Sequence, residues 1–316
     1  MEHLAPFGTA IQDVILPTFK VYAPLLLKQA DKIRATHRET FAYGQNPRQK
    51  LDVYTPSAGV KPVTGNPSVL IFLYGGGLVR GDKINANYLD GLVYANLGHY
   101  FAESLGFEVV IVDYRLIMHD AKFPSGGEDL KLAVDWVQDH FPKPLDIYIM
   151  GNSAGGVHLA TYLLTPDFAT SRQQISNGTS AGRLKGVIFL SVPFHFERAQ
   201  ADRSETLRAY FGDDVHARCP LGLLEASKHN RSISELQQVP VMVLNGTLDP
   251  EDEILLPRDD FVREWKASEA VASNLTVQLM EGHNHISPVL GVGTAVPTEE
   301  AWARQVTDFI IASSGT

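Results

Sequence analysis

The chain has 316 residues, of which 44% are hydrophobic and 20% are charged, and its formal net charge at pH 7 is −9. These ordinary globular values exclude a disordered, collagen-like or coiled-coil protein. The acidic balance argues against a broad nucleic-acid or anionic-membrane face, because either would need a concentrated basic surface. A small neutral or cationic ligand remains open.

The single cysteine, Cys219, excludes an intramolecular disulfide and a cysteine-rich metal site. It favours a reducing compartment, and the N-terminal residues show no signal-peptide pattern, so the sequence predicts a cytoplasmic protein. The longest apolar runs, 69–73 and 109–112, are far shorter than the roughly 20 residues that span a bilayer, so no membrane span is expected. The sequence leaves a homodimer open.

Short β-branched segments alternate with longer amphipathic ones, the pattern of a mostly parallel sheet covered by helices on both faces. Several short segments are continuously apolar, as buried parallel strands are. The predicted strands are 51–54, 69–74, 109–113, 147–150, 187–191, 241–245 and 276–280. The predicted helices are 87–105, 128–140, 154–164, 257–272 and 299–312. The segments 10–37 and 194–238 fall outside this alternation and are predicted to be additions over the core.

The strongest local signal is Gly151-Asn152-Ser153-Ala154-Gly155, a G-x-S-x-G motif between a predicted strand and a predicted helix. A serine on such a tight turn projects its hydroxyl above the sheet, and its small neighbours permit a strained backbone and close approach of a substrate carbonyl. The helix aims its N-terminal dipole and the amide of Ala154 at a developing oxyanion. Small residues also punctuate ordinary loops, but this context indicates that Ser153 is a nucleophile.

A serine hydroxyl is a weak nucleophile at neutral pH and needs a base that is oriented by an acid. Asp249 lies just past the predicted strand 241–245, where open α/β sheets place their sites, and Asp252 and Glu253 are its local competitors. An Asp-Pro pair at a loop start is also ordinary turn chemistry. Its place after the serine in chain order favours Asp249 as the acid.

The base is expected after the predicted strand 276–280, where His283 and His285 lie two residues apart. Gly282 leaves room for a turn, and the loop needs a few residues to curl back over the serine, which favours His285. A lone surface histidine is usually solvated or capping, and an H-x-H pair can bind a metal ion. With no cysteine nearby and no evident further ligands, the sequence predicts neither a metal nor a cofactor.

Three consecutive glycines, Gly75, Gly76 and Gly77, follow another buried strand. Consecutive glycines free backbone N–H groups to point at a ligand, so the amides of Gly75, Gly76 and Ala154 are predicted to form an oxyanion hole. A phosphate-binding loop is the rival interpretation, because strand, glycines and helix occur in that order too. It fails in detail, since the P-loop spacing reaches Gly81 but places Asp82 where a lysine is required.

The order of these motifs resembles the α/β-hydrolase fold, and within it the hormone-sensitive-lipase-like esterases and the related arylformamidases. Further residues are similar to that family's DYRL…FP…D…A..W run, namely Val112-Asp113-Tyr114-Arg115-Leu116, Phe123-Pro124, Asp129, Ala133 and Trp136. The resemblance covers about residues 51–311. It implies a mostly parallel central sheet with helices on both faces, in a single domain over 1–316, with cap elements from about 1–40 and 194–238.

The resemblance implies the same triad and oxyanion residues as the motifs, namely Ser153, Asp249, His285, Gly75, Gly76 and Ala154. One residue departs from it: Tyr74 stands where the family's oxyanion loop usually begins with a histidine that orients the loop through hydrogen bonds. A tyrosine hydroxyl can tie the loop differently, which would change the accepted substrates. The alternative is that Tyr74 is a strand-end aromatic residue of the core.

The segment 194–238 lies where this family inserts its cap, which the N-terminal stretch often joins. Aromatic candidates for lining a pocket around an apolar acyl or alcohol group are Phe194, Phe196, Tyr210 and Phe211. Plain packing is the more frequent role of such residues. His195 and Arg80 are weaker candidates for meeting a polar group of the substrate.

These features together predict a serine hydrolase that cleaves a small carboxylic ester or lactone through an acyl-enzyme, with no nucleic-acid partner. If an alcohol resolves the acyl-enzyme, the same machinery transfers acyl groups or forms lactones in a biosynthetic step. Arylformamidase-type amide hydrolysis is another alternative. A non-catalytic small-molecule receptor is the alternative of a different class. Plant hormone receptors of this family lose the triad histidine, whereas His283 and His285 are both present here.

Overall fold

The computed structural model describes residues 3–86, 88–176, 182–230 and 233–315, and within them eight strands form one sheet in the order β1-β2-β4-β3-β5-β6-β7-β8. The strands are β1 His37–Ala42, β2 Lys50–Thr55, β3 Ser68–Leu73, β4 Glu108–Val112, β5 Leu145–Asn152, β6 Gly182–Leu190, β7 Val241–Leu248 and β8 Leu275–Asn284. The pairs β1-β2 and β2-β4 are antiparallel, and the other pairs are parallel. The predicted mostly parallel sheet is confirmed.

Helices surround this sheet. Those of the described residues are α1 Ile11–Lys28, α2 Ala30–Ala35, α3 Leu92–Leu105, α4 Ser125–His140, α5 Ala154–Leu164, α6 Ala169–Ser176, α7 Ser204–Phe211, α8 Val215–Arg218, α9 Pro220–Asn230, α10 Leu256–Lys266, α11 Ser287–Gly291 and α12 Ala301–Ser314, apart from single-turn elements. Every residue of β3 and β5 is buried, as expected when helices cover both faces of the sheet. The predicted fold class is confirmed.

The sequence pattern explains how these elements pack. β3 is the apolar run SVLIFL, and α4 buries Leu130, Val134 and Val137 on one face, at the three- and four-residue spacing of an amphipathic helix. The strands β3 to β8 all run in the same direction, although β4 and β3 are exchanged in the sheet order. Their carboxyl ends therefore lie at the same edge of the sheet. The loops that leave this edge carry all of the predicted site residues.

The start of α3 differs from the prediction of a helix over 87–105. The helix begins at Leu92, and Asn87 lies outside the described residues. Asp90 and Gly91 have φ values of 49° and 78°, so a right-handed helix cannot pass through them. Tyr94, with a φ of 69°, marks a kink within the first turn of α3. Apolar spacing carries no signal for these torsions, which explains the error.

Two other elements differ from the sequence-based expectation. The strand β1 was not predicted, because its sequence HRETFA is polar and its side chains are mostly exposed; backbone pairing with β2 forms it. The helix predicted over 257–272 ends at Lys266. Beyond it the indole of Trp265 donates to the carbonyl of Val271 and to Asn274 Oδ1, and these bonds hold the chain in a return turn.

The two segments outside the strand–helix alternation form further helices. The residues between β6 and β7 build α7, α8 and α9, of which α9 packs against α5 and α10. The N-terminal residues build α1 and α2, which pack against α11 and α3 respectively. Both segments therefore pack against helices of the strand–helix core.

Candidate active site

Ser153 occupies the sharp turn between β5 and α5. Its φ of 50° and ψ of −120° are strained for a residue with a side chain, and its amide donates to the carbonyl of Leu190 at 3.0 Å. The turn needs small neighbours: a Cβ atom on Gly155 would lie 2.2 Å from the carbonyl oxygen of Leu73. The strand, the strained serine and the helix follow one another as the G-x-S-x-G motif predicts.

The side chains of Ser153, His285 and Asp249 lie in a hydrogen-bonded row. His285 Nε2 is 3.0 Å from Ser153 Oγ, and His285 Nδ1 is 2.9 Å from Asp249 Oδ1. Asp249 and His285 are 2% and 6% exposed, so the contact between them is buried, whereas the contact with Ser153 is partly buried. With the carboxylate accepting from Nδ1–H, the Nε2 atom is free to accept the serine proton.

Asp249 receives two more hydrogen bonds, on its other carboxylate oxygen. Ser191 Oγ donates to Asp249 Oδ2 at 2.7 Å, and the amide of Gly246 donates to the same oxygen at 2.8 Å. Ser191 is fully buried and has a φ of 49°, a strained value for a serine. Ser191 was not among the predicted site residues. A polar side chain at the end of an apolar strand was the signal that was available.

We expect Ser191→Ala to lower kcat about 10-fold, because one hydrogen bond to the buried carboxylate is lost and the carboxylate can rotate away from His285. The control is Ser227→Ala, which removes the hydroxyl of a buried serine on α9 that donates to the carbonyl of Leu224. The measurement is ester hydrolysis at saturating substrate, together with thermal unfolding of both variants. Equal kcat values for the two variants would contradict an orienting role for Ser191.

The competing residues lie elsewhere. Asp252 pairs with Arg198 at 3.4 Å, and Glu253 pairs with Arg203 at 3.3 Å. The ring of His283 is buried, and its Nδ1 atom is 2.8 Å from the hydroxyl of Ser287. These contacts of Asp252, Glu253 and His283 do not involve Ser153.

Burial lowers the pKa of His283 to about 4, against the opposing effect of Glu299 and Asp249. Between pH 6.5 and about 4 the unfolded chain therefore binds a proton at this residue that the folded chain does not. As the pH is lowered across this window, this one group decreases the free energy of unfolding by about 1.4 kcal/mol per pH unit. Above pH 6.5 the histidine is neutral in both states and adds no slope.

We expect His283→Gln to remove that slope, so that urea unfolding at pH 6.5, 5.5 and 4.5 shows a shallower loss of stability than in the unmodified protein. The control is His37→Gln, at a histidine of β1 whose side chain is 64% exposed. If both variants keep the original slope, burial of a neutral ring at position 283 does not explain the acid sensitivity.

The turn that carries His285 is fixed by Asn284 and α1. Asn284 Oδ1 accepts from the amides of Ile286 and Ser287, each at 3.0 Å. Its Nδ2 atom donates to Thr18 Oγ1 on α1 at 2.8 Å. The helix α1 thus helps to hold the turn that carries His285, a contact that its apolar pattern does not indicate.

The oxyanion loop, residues 74–82, passes directly beside Ser153. A Cβ atom on Gly75 would lie 3.0 Å from Ser153 Cβ and 3.1 Å from Asn152 Oδ1. A side chain at this position would crowd Ser153 and Asn152, so glycine is required by close approach. The structure brings Gly75 to the serine, as the sequence-based hypothesis of an oxyanion hole needs.

The other two predicted donors are the amides of Gly76 and Ala154. The carbonyl of Gly76 accepts from the amide of Arg80 at 3.2 Å, which folds the oxyanion loop into a turn. Ala154 is the first residue of α5, so its N–H group has no acceptor within the helix. The Ala154 amide directly follows Ser153 in the chain, and the Gly76 amide directly follows Gly75, which lies beside Ser153.

Tyr74 combines the two interpretations offered for it. Its ring is fully buried and stacks between the rings of Tyr94 and Tyr114, with centroid separations of 5.3 and 4.9 Å. Its hydroxyl donates to Asp113 Oδ1 at 2.6 Å. Burial raises the pKa of Tyr74 well above its ordinary value, so the hydroxyl stays protonated and acts as a donor. Tyr74 is a core residue that also ties the loop.

The aromatic candidates of the segment 194–238 mainly pack against one another. Phe194 stacks on Phe261 at 4.0 Å, and Tyr210 and Phe211 are 1% and 0% exposed. Phe196 is partly buried and contacts Phe211 at 5.4 Å. The packing interpretation of these residues is the one that their burial supports.

The two weaker polar candidates differ in their surroundings. His195 is buried, with Nε2 3.1 Å from Asp260 Oδ2 on α10, whereas Arg80 is exposed in the oxyanion loop. In the described part of the chain, no group of three or more His, Cys, Asp or Glu side chains is arranged to hold a metal ion. No helix described here is both long and apolar enough to cross a membrane.

The sheet order and the strained serine turn between β5 and α5 define an α/β-hydrolase. The BD-FAE family model matches residues 51–251, more than half of the chain. The chain belongs to this family of carboxylic ester hydrolases. The predicted resemblance to the esterases of the α/β-hydrolase fold is confirmed.

Two curated relatives are similar to parts of the chain. Bile salt-activated lipase of Mus musculus is 30% identical over 146 residues, which are 42% of this chain and 24% of the lipase. Esterase LipC of Mycobacterium tuberculosis is 28% identical over 227 residues, which are 68% of this chain and 52% of the esterase. The chain thus spans about a quarter of the length of the first relative and half of the second.

Among solved structures, esterase B of Lactobacillus rhamnosis, inhibited by a C6-C4 SN3 compound, has a TM-score of 0.65 to this chain at 18% identity. The match covers 95% of this chain and 96% of that chain. The same esterase has been crystallised with a C4-C4 SN3 tributyrin phosphonate. At this level of identity the similarity concerns the fold.

Proposed function

We propose that this chain is a serine hydrolase that cleaves small carboxylic esters or lactones through an acyl-enzyme. The observation that carries the proposal is the row of contacts from Asp249 through His285 to Ser153, at 2.9 and 3.0 Å. Membership of an esterase family and the fold shared with esterase B support the same chemistry. Its cytoplasmic location stays a prediction from cysteine usage.

In the acylation step, Ser153 Oγ attacks the substrate carbonyl carbon while His285 Nε2 accepts the hydroxyl proton. Asp249 holds the ring in the tautomer that leaves Nε2 unprotonated before the attack, and it stabilises the imidazolium afterwards. The carbonyl oxygen becomes an oxyanion as the tetrahedral intermediate forms. The amides of Gly75 and Ala154, with that of Gly76, donate to this oxygen, at about 3–4 kcal/mol per donor.

Collapse of the tetrahedral intermediate breaks the bond to the alcohol oxygen, which takes the proton from His285 Nε2 and leaves as an alcohol. Water then gives a proton to the same nitrogen and attacks the acyl carbon. The second intermediate releases the carboxylic acid and returns the proton to Ser153. Every proton in this cycle passes through one ring nitrogen of His285.

The substrate is proposed to enter under a small cap formed by α7, α8 and α9 together with residues of the N-terminal segment. The apolar surroundings of Phe196, which is partly buried near the start of that cap, suit an aliphatic acyl or alcohol group. The tributyrin phosphonate bound by esterase B is a short-chain compound of this kind. We therefore propose short acyl esters as substrates.

The alternative of a non-catalytic receptor is disfavoured by the same contacts. A receptor needs a pocket but no aligned base, whereas here His285 Nε2 lies 3.0 Å from the serine hydroxyl.

A fluorophosphonate probe tests the proposal. The unmodified protein should be labelled covalently and should release p-nitrophenol from p-nitrophenyl acetate, and Ser153→Ala should do neither while keeping its thermal unfolding midpoint. Short acyl esters, lactones and N-formyl aromatic amides, compared side by side, distinguish ester hydrolysis from lactone and arylformamidase chemistry. A folded unmodified protein that is not labelled would overturn the proposed function in favour of a receptor.

A further inference from the structure

Arg48 lies in the loop between β1 and β2, far along the chain from every motif residue, yet its side chain reaches the oxyanion loop. The side chain is only 14% exposed. Such burial of a guanidinium is costly unless hydrogen bonds and opposite charges compensate it. The partners of Arg48 therefore show what this residue does in the fold.

The guanidinium contacts both ends of the oxyanion loop. At the start of the loop, Nη2 donates to the hydroxyl of Tyr74 at 2.6 Å. At its end, Nη2 donates to the carbonyl of Gly81 at 2.5 Å, and Nη1 donates to Asp82 Oδ2 at 3.1 Å. One planar group thus joins the residue before the glycines to the residues that close the loop.

The same guanidinium is fixed to the body of the sheet. Nε donates to the carbonyl of Tyr114 at 3.3 Å, and Nη2 is 3.2 Å from Asp113 Oδ1, just past the end of β4. Asp113 also accepts from the hydroxyl of Tyr74 and from the amide of Lys83, each at 2.6 Å. The contacts form a closed network in which the loop cannot shift without breaking charge-assisted bonds.

Charge in this network is nearly balanced. Asp113 and Asp82 oppose Arg48, and Lys83 Nζ lies 3.7 Å from Asp113 and 3.6 Å from the buried Asp52. Burial raises the pKa of Asp113, while the hydroxyl of Tyr74 and the charge of Arg48 act in the opposite direction. Removal of the guanidinium would leave a buried carboxylate with fewer partners.

We propose that Arg48 is a positioning residue for the oxyanion hole. By holding Tyr74 and Gly81 together, it keeps the amides of Gly75 and Gly76 beside Ser153, the arrangement that must be in place before negative charge develops. The hydroxyl of Tyr74 accepts a hydrogen bond from the guanidinium. Through this bond a tyrosine can fix the start of the loop at the position where the related esterases usually have histidine. This inference rests on the proposed function.

The geometry requires arginine rather than any cation. Four hydrogen bonds leave the guanidinium from three different atoms, Nε, Nη1 and Nη2, whereas a lysine ammonium is a single point charge on a flexible stem. A lysine at this position would keep the charge and lose the simultaneous contact with both ends of the loop. Arg48→Lys therefore separates positioning from charge balance.

The test compares Arg48→Lys and Tyr74→Phe with the control Arg38→Lys. The control residue is an arginine of the β1 strand whose side chain is 42% exposed and lies 4.0 Å from Asp52. The measurements are kcat and KM for p-nitrophenyl acetate, the unfolding midpoint, and the inhibition constant of a trifluoromethyl ketone. This ketone forms a tetrahedral adduct with the serine and places an oxyanion in the hole.

We expect Arg48→Lys to lower kcat about 30-fold and Tyr74→Phe about 10-fold, with KM changed less than about 3-fold, because the amides act on the transition state rather than on bound substrate. The inhibition constant of the ketone should rise by a similar factor as kcat/KM falls. Arg38→Lys should match the unmodified protein. If Arg48→Lys does not fold, Tyr74→Phe, which keeps the stacked ring, decides the matter through the same two readouts.

The outcomes distinguish the two proposals. If the unmodified protein hydrolyses no ester and is not labelled by the fluorophosphonate, the proposed function fails. If it is active and the Arg48→Lys and Tyr74→Phe variants match Arg38→Lys in kcat and in ketone affinity, the function stands and the positioning role of Arg48 is wrong. A fall in stability with unchanged ketone affinity also overturns the role, since it shows a structural contribution only.

Discussion

Replacing His285 by alanine is expected to lower kcat for p-nitrophenyl acetate by at least about 10⁴-fold, because no other group in the hydrogen-bonded row accepts the proton of Ser153. KM should change little, since the imidazole acts on the reacting hydroxyl rather than on the bound ester. The residual rate would come from the oxyanion amides and from substrate binding. Fluorophosphonate labelling should slow in parallel with kcat.

The matched control is His283→Gln, two residues earlier in the chain. His283 is bonded to Ser287 and makes no contact with the nucleophile, so this variant should keep kcat within about 3-fold at pH 8. Its expected defect is in stability. Full activity of His285→Ala together with an inactive His283→Gln would transfer the role of base to the other histidine.

Asp249→Asn is expected to lower kcat by about 10⁴-fold through the wrong tautomer of the neighbouring ring. Ser191 Oγ and the amide of Gly246 both donate to the carboxylate oxygen that faces away from the histidine. An amide side chain must therefore turn its oxygen toward those two donors and its NH2 group toward His285 Nδ1. The ring then carries its proton on Nε2 and cannot accept one from Ser153.

The control for this charge removal is Asp252→Asn, which neutralises an exposed carboxylate paired with Arg198 at 3.4 Å. It should leave kcat and KM unchanged. Both variants are compared by steady-state hydrolysis from pH 6 to 9 and by thermal unfolding. Loss of activity in Asp252→Asn, with Asp249→Asn fully active, would show that the competitor in the same loop is the acid.

The sheet and the serine turn were predictable because their signals are local. Apolar runs such as SVLIFL, the alternation of strands with amphipathic helices, and the G-x-S-x-G motif all depend on neighbours within a few residues. The places of Asp249 and His285 followed from one further rule, that loops at the carboxyl ends of parallel strands meet. Chain order and this rule favoured Asp249 as the acid, and the room for a turn at Gly282 favoured His285 over His283 as the base; both assignments stay predictions.

The supporting residues were not predictable, because their partners are distant in sequence. Ser191 meets Asp249 across 58 residues, and Arg48 meets Tyr74 across 26 residues. Ser191 was predicted to be the last residue of an apolar strand, and Arg48 belongs to no recognisable motif. Which polar group faces which depends on strand order and register, and a single sequence does not reveal these before the fold is known.

The bond between Thr18 and Asn284 joins positions 266 residues apart. During synthesis from the N-terminus, the nucleophile, the oxyanion loop and the acid all emerge before the turn that carries the imidazole, and this turn then has to dock on the first long helix. A nascent polypeptide therefore passes through most of its assembly with an unactivated serine. The proposed ester-cleaving centre is complete once the turn that carries His285 has docked on α1.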